Sequence, residues 1–369
     1  LYDAKFFYDE DLKQPLEAYV EKLSEVVFQE SLGTMRAKTD RVVALTKHLG
    51  ADAGLQGQDA ADAERAAFLA KADLVTGAVV EFTSVQGIMG RYYAQAAGET
   101  DQVAEAIADH YRPRFSGDAT PATLVGKVVA TADKLDTICG LFAVGQGPTG
   151  SSDPFALRRS AIGILAIIED GLDISLIQAI DASLGIYAQG GLEFDRAAVR
   201  ADVVDFFVTR TKVMLRDGGV AADTVDAVLA TGVEEPATIV ARARALEAAR
   251  AEQAEAFDDL ATAYARANNL RDAGEGTDVD AALLAADAQA LDQAVQTAQD
   301  AVEAALAAND YPAALATLAG LRAPIDAFFE GVMVMDEDPA VRANNLRLLN
   351  RFVAVFANVA DFGKMSKAK

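Results

Sequence analysis

The chain has 369 residues, 51% of them hydrophobic, and a formal net charge of −23. That length holds two or three ordinary domains, each with its own core, while the charge excludes non-specific nucleic-acid binding by a general excess of lysine and arginine, though not a localised basic face. With one cysteine, Cys139, and two histidines, an internal disulfide is impossible and a zinc site of the usual three- or four-ligand nitrogen–sulfur kind is excluded.

Abundant alanine, few prolines and no tryptophan favour helices, because alanine loses no side-chain entropy in one and proline cannot sit inside one. No apolar run approaches the ~20 residues needed to span a bilayer, and no basic-then-apolar leader opens the chain. Cys139 follows Ile138 and is expected to be a buried, inert thiol in a reducing, cytoplasmic setting. The start at Leu1, inside patterned sequence, gives the expectation that this is a piece of a longer chain.

In chain order, residues 1–35 begin with aromatics and then space Leu16, Tyr19, Val20, Leu23 and Val27 as a helix would, over Pro15 to Gln29, with Gly33 beyond it. Residues 36–150 predict a series of helices. The stretch 64–80 is apolar nearly all round (Phe68, Leu69, Leu74, Val75, Val79, Val80), as is Leu124 to Phe142, and both read as buried helices. Between them Thr100 is placed to cap a helix through Val103 and Ile107 that Pro113 stops. Residues 151–235 open with Asp153 as N-cap and Pro154 as first helical residue, the pattern running through Leu157, Ile162, Leu165 and Ile168 to Gly171. A boundary falls near Gly232–Pro236. Residues 236–369 then predict long helices over 237–270, 280–308 and 312–330, a flexible loop at 272–280 and a closing helix from Asp338–Pro339. No alternation long enough for a sheet is present, so the fold class is all-α.

Charge is uneven along this last segment. Between Arg271 and Arg322 there is no lysine or arginine, whereas from Arg342 onward Arg342, Arg347, Arg351, Lys364, Lys367 and Lys369 face only Asp361. A polyanion would dock on the second stretch. Asn344, Arg347 and Arg351 fall on one face of the closing helix with no acid beside them, which reads either as a solvated face or as phosphate positioning.

The glycines of Gly145-Gln-Gly-Pro-Thr-Gly150 follow no strand, and Pro148 removes a donor, so they read as a turn rather than a phosphate loop. No serine or cysteine sits in a nucleophile-elbow context. Asp73, in Phe68-Leu-Ala-Lys-Ala-Asp73-Leu, and Asp133, in Val128-Val-Ala-Thr-Ala-Asp133-Lys-Leu-Asp136, each interrupt an apolar stretch, where a lone charge costs several kcal/mol unless paired. Their surroundings resemble the HD superfamily of metal-dependent phosphohydrolases, in which a His-Asp doublet and a later aspartate hold divalent metal. Here Ala72 stands where the doublet has histidine, His48 is the remaining candidate on the preceding helix, and His110 offers one more nitrogen. The resemblance then implies a retired site, with Asp73 and Asp133 paired to Lys71, Lys134 or backbone donors and no metal bound.

Several longer stretches resemble the beta subunit family of the heterotetrameric bacterial glycyl-tRNA synthetase: Gln29-Glu-Ser-Leu-Gly-Thr-Met-Arg-Ala-Lys-Thr-Asp-Arg41, Val80-Glu-Phe-Thr-Ser-Val-Gln-Gly-Ile-Met-Gly-Arg-Tyr-Tyr93, Tyr111-Arg-Pro-Arg-Phe-Ser-Gly-Asp118, Asp153-Pro-Phe-Ala-Leu-Arg-Arg159 and Ile325-Asp-Ala-Phe-Phe-Glu-Gly-Val-Met-Val-Met335. The resemblance implies four parts: a connecting segment at 1–35, a degenerate HD-like domain at 36–150, a helical linker at 151–235 and an anticodon-binding helical bundle of arginyl-tRNA synthetase type at 236–369. It implies an alpha subunit that uses ATP and Mg for glycine activation and transfer, a second beta subunit in an alpha2beta2 assembly, tRNA-Gly as partner, and no catalytic residue or cofactor in this chain. Within the bundle, Tyr264-Ala-Arg-Ala-Asn-Asn-Leu270 is similar to an arginyl-type Lys-Arg-Val-x-Asn-Ile motif, with Arg266 and Asn269 at its Arg and Asn positions and Ala265 in place of its first base. Arg266 and Asn269 share a helix face, and arginine can clamp phosphate or guanine while asparagine reads a base edge. Asn269 as a helix cap is the other reading. Arg158 and Arg159 are further tRNA-contact candidates, or packing residues. The remaining functional alternatives are an HD-type metal-dependent phosphohydrolase and a helical scaffold for subunit assembly.

Overall fold

The structure, a computed structural model, describes residues 2–252 and 254–365, with the side chains of residues 2–4, 254 and 256 outside the description. Lys367 and Lys369 lie outside the described residues. Among the described residues the named elements are helices and 3-10 turns apart from one short hairpin, Val27–Gln29 paired antiparallel with Gly33–Thr34. They pack as two compact units, residues 1–211 with 235–237 and residues 212–234 with 238–369.

In the first unit α1 (Tyr2–Asp11) is followed by two 3-10 turns, Leu16–Tyr19 and Glu21–Glu25, and by the hairpin. The helix expected over Pro15 to Gln29 is therefore not formed. Leu16, Tyr19, Val20 and Leu23 are buried as the spacing demands, but an i, i+3 spacing suits a 3-10 turn as well as an α-helix. Val27, in the hairpin, is 69% exposed. The next helices are α2 (Met35–Asp52) and α3 (Gly57–Leu69), and after α3 the stretch read as one buried helix breaks in two. A 3-10 turn at Ala72–Val75 and α4 (Gly77–Glu81) replace it, with Val80 exposed. The break is held from a distance: the Asp11 carboxylate accepts from Gly77 N at 2.7 Å and Ala78 N at 2.9 Å, capping α4.

Helices α5 (Ile88–Ala96) and α6 (Asp101–Asp109) follow, and the Thr100 hydroxyl caps α6 by accepting from Val103 N, as its position predicted. The central element is α7 (Leu124–Ala143), close to the expected bounds and packed by α2, α3, α6, α8 (Leu157–Glu169) and α9 (Leu176–Gln189). Its burial on nearly every side explains its apolar sequence. Against α9 the approach at Gly140 is so close that an added Cβ would lie 2.1 Å from the Tyr187 hydroxyl, which donates to Asp136 O. Cys139 is fully buried on α7, and burial pushes its thiol up to about 12, so it is inert near neutral pH. Helix α8 begins three residues later than predicted. Asp153 does satisfy its first amides, Leu157 N at 2.8 Å and Arg158 N at 3.0 Å, but across a turn in which Ala156 is left-handed (φ 54) and Pro154 is not helical.

The unit boundary falls inside α10 (Arg196–Asp217). The second unit contains α11 (Ala222–Leu229), most of α12 (Pro236–Glu252), α13 (Ala254–Leu270), α14 (Ala286–Ala307), α15 (Tyr311–Ala319), α16 (Arg322–Gly331) and α17 (Pro339–Phe356). The helix expected over 312–330 is two, divided at Gly320–Leu321. Asp338 caps α17 as predicted, accepting from Ala340 N, with Pro339 in the first turn. The core joins α13, α14, α16 and α17, where Tyr264, Phe356 and Phe362 pack ring against ring.

Candidate nucleic-acid interface and a buried charge cluster

Arg266 and Asn269 lie near the end of α13, which turns Phe257, Leu260 and Tyr264 into the core. Both are exposed. The Arg266 guanidinium sits 4.0 Å above the half-buried Phe329 ring of α16, and among the described residues no carboxylate pairs with it. A cation held over an aromatic face at this distance is a cation–π contact, and the exposed guanidinium keeps its donors open to solvent.

Asn344, Arg347 and Arg351 do something else. Asn344 is fully buried; its Oδ1 accepts from Asp280 N at 2.8 Å and its Nδ2 donates to Asp280 O at 2.9 Å. Arg347 donates to Glu275 O at 3.2 Å and approaches the Glu275 carboxylate at 3.5 Å. Arg351 donates to Thr277 O at 2.9 Å and pairs with Asp292 at 2.6 Å. Asn350, which the sequence reading passed over, donates to Asp272 O and Gly276 O, each at 2.7 Å. The expectation that no acid neutralises the two arginines is thus corrected: Glu275 and Asp292 do. The segment 272–280, expected to be a flexible loop, is strapped to α17 because its backbone groups need partners and this helix supplies them. Arg351→Ala should accordingly speed amide exchange across residues 276–280 and cost roughly 1–3 kcal/mol by leaving the Asp292 carboxylate unpaired. Unchanged exchange in that loop would show that the strap carries no load.

In the first unit Arg158 is half-buried and donates to Gly150 O at 2.7 Å, closing the turn before α8. Arg159 is exposed and lines a cleft of about 700 Å³ with Arg112, Arg114, Lys134 and Asp133.

Asp133 gathers a buried cluster of charges. Its Oδ2 lies 3.1 Å from Lys71 Nζ and its Oδ1 3.3 Å from Lys38 Nζ. Lys38 Nζ also reaches Asp136 at 3.0 Å, and Arg41 joins Asp136 at 2.8 Å. Burial alone would raise the Asp133 pKa, but the Lys38 and then the Lys71 ammonium overcome it and hold the carboxyl below the usual range. Pairing with Lys71 is as expected. Lys134 instead donates to His110 O and Arg112 O. Lys38 was missed, although it falls in register with the buried Met35, Val42, Leu45 and Leu49 on α2, a signal that it points inward.

Asp73 sits apart from that pair. Fully buried, its Oδ2 accepts from Gly87 N at 2.6 Å and Gly90 N at 3.0 Å, so it caps α5 from a distance. Gly90 is needed here, since an added Cβ would lie 3.0 Å from that carboxylate. Burial raises the Asp73 pKa to about 6 against the pull of these two amides. His110 is buried, with Nδ1 donating to Ile107 O at 2.6 Å, and burial and then Lys71 push its pKa well below the ordinary value. His48 is on the surface of α2, 3.8 Å from Asp52, and takes no part. Among the described residues no three His, Cys, Asp or Glu side chains are grouped to hold a metal ion, and no helix is long and apolar enough to cross a membrane.

Comparison with known proteins matches residues 1–230 to the family model described as glycyl-tRNA synthetase beta subunit, and residues 260–362 to that of the DALR anticodon binding domain. The chain is 45% identical over 368 residues to the glycine–tRNA ligase beta subunit of Desulforamulus reducens, covering 99% of this chain and 53% of that protein. It is 45% identical over 365 residues to that of Acinetobacter baumannii (98% and 52%) and 42% over 373 residues to that of Vibrio cholerae (100% and 53%). The chain spans about half the length of these relatives.

Proposed function

The chain belongs to the glycyl-tRNA synthetase beta subunit family, and from that premise we propose that it is a non-catalytic, tRNA-handling part of a glycine–tRNA ligase. It binds and positions tRNA-Gly while an alpha subunit, using ATP and Mg, activates glycine and transfers it, in an alpha2beta2 assembly in the cytoplasm. Residues 236–369 are the anticodon-binding bundle, residues 36–150 a degenerate HD-like domain and residues 151–235 a helical linker.

The observation that carries this reading is the exposed Arg266 stacked on Phe329, with Asn269 one turn on, inside the span matched to an anticodon-binding family. Arginine on a ring offers both a stacking plane and unused donors. The strap on α17 supports it indirectly, by fixing the loop that follows α13. The phosphohydrolase alternative is disfavoured, because Asp73 and His110 are committed to protein partners and Asp133 to two lysines.

Fluorescence anisotropy with tRNA-Gly and a non-cognate tRNA tests the proposal. Cognate binding should be the tighter, and Arg266→Ala should weaken it by about tenfold, since one base–side-chain stack contributes ~1–3 kcal/mol. Equal affinity for the two tRNAs, or no binding of either, would remove the reading.

A further inference from the structure

Lys71 Nζ lies 2.8 Å from His110 Nε2, 3.1 Å from Asp133 Oδ2 and 4.2 Å from the centre of the Tyr111 ring. An imidazole nitrogen, a carboxylate oxygen and an aromatic face are the set a small cation selects. The His110 tautomer is fixed to suit: Nδ1 donates to Ile107 O, which leaves the Nε2 lone pair to accept from the ammonium. We infer that this is a cation site whose resident cation is the chain's own Lys71 ammonium.

The inference does not depend on tRNA binding. It explains why the residues do not fit the divalent metal that a likeness to the HD superfamily implies. Lys71 occupies the ground between the two donors, and Lys38 stands on the other oxygen of the same carboxylate. Evicting Lys71 would leave His110 and Asp133, too few ligands for a tight divalent site. Asp73 does not complete the set: its Oδ2 holds the Gly87 and Gly90 amides, and among the described residues its carboxylate is not grouped with His110 and Asp133 so as to hold an ion. The charges that face the ammonium from the surrounding elements are Asp133, Lys38 and Lys134, with Asp73 acting at longer range.

Truncation and chemical rescue test this. Lys71→Ala removes three methylenes and the amine, which n-propylammonium replaces atom for atom. Thermal unfolding of the full chain should show a lowered midpoint in Lys71→Ala that n-propylammonium raises saturably, while n-propanol does not and the wild type responds to neither. An equal response of variant and wild type, or equal rescue by the alcohol, overturns the inference. If the alanine variant fails to fold, Lys71→Met supplies the shape without the charge. Its midpoint should still fall, and the His110 Nε2 resonance in nitrogen NMR should move to that of an unbonded imidazole nitrogen. A methionine variant as stable as wild type with unchanged His110 signals overturns it as well. So does wild-type protein that takes up Mn2+ or Zn2+ stoichiometrically.

Discussion

Asp133→Asn should cost about 3–5 kcal/mol of stability, the range found when one partner of a buried ion pair is removed and the other charge is left behind. Among the described residues Asp133 is the only carboxylate bridging Lys71 and Lys38, whose side chains are 9% and 3% exposed. Lys38 keeps Asp136 as a partner, so the loss falls mainly on Lys71, left with a neutral imidazole and a ring face. Urea unfolding followed by tyrosine fluorescence reports the event selectively, because only Tyr264 and Tyr311 of the nine tyrosines fall outside residues 1–211. Adding Lys71→Met should recover part of the deficit, since an apolar chain leaves no orphaned charge. A single-variant loss below about 1 kcal/mol, the worth of a surface pair, would mean that the pair is better solvated than its burial indicates.

The lysines also mark how far the sequence could be read. Signals that act within one turn were legible: the Thr100 and Asp338 caps and the bounds of α7 follow from residues three or four apart. What failed was decided at long range. The helix expected over 64–80 breaks because Asp11, 66 positions before Gly77, supplies a cap that no local pattern announces. On α17 the spacing correctly placed Asn344, Arg347 and Arg351 on shared faces, yet periodicity does not say whether a face meets solvent or a loop. The carbonyls of residues 272–280 answer that question, and they are invisible to a reading by side chain. Arg266 escaped this fate because Phe329 receives its plane without consuming its donors.

Asp73 gives a stability term that is visible in pH rather than in contacts. Its folded pKa is raised to about 6, from an ordinary 3.8. Below about pH 4 folded and unfolded chains both hold the proton; between about 4 and 6 only the folded chain does, so raising the pH across that window weakens the fold. The shift corresponds to roughly 3 kcal/mol at 1.36 kcal/mol per unit. Two neighbours titrate with the opposite sign. Asp133, depressed, adds stability above its unfolded pKa and loses it only as pH falls below about 4. His110, buried neutral, costs stability as pH falls below its ordinary value of 6.5, which overlaps the Asp73 window. The quantity to measure is therefore the difference between wild type and Asp73→Asn, in which the His110 contribution cancels. The amide oxygen can still accept from Gly87 and Gly90, so the cap survives and the proton does not. Wild type should gain on the variant by roughly 2–2.5 kcal/mol as pH is lowered from 7 to 4, with most of the change between 6 and 4. A difference that stays constant across that range would mean that Asp73 keeps an ordinary carboxylate pKa despite its burial, and that its two amide donors outweigh the loss of water.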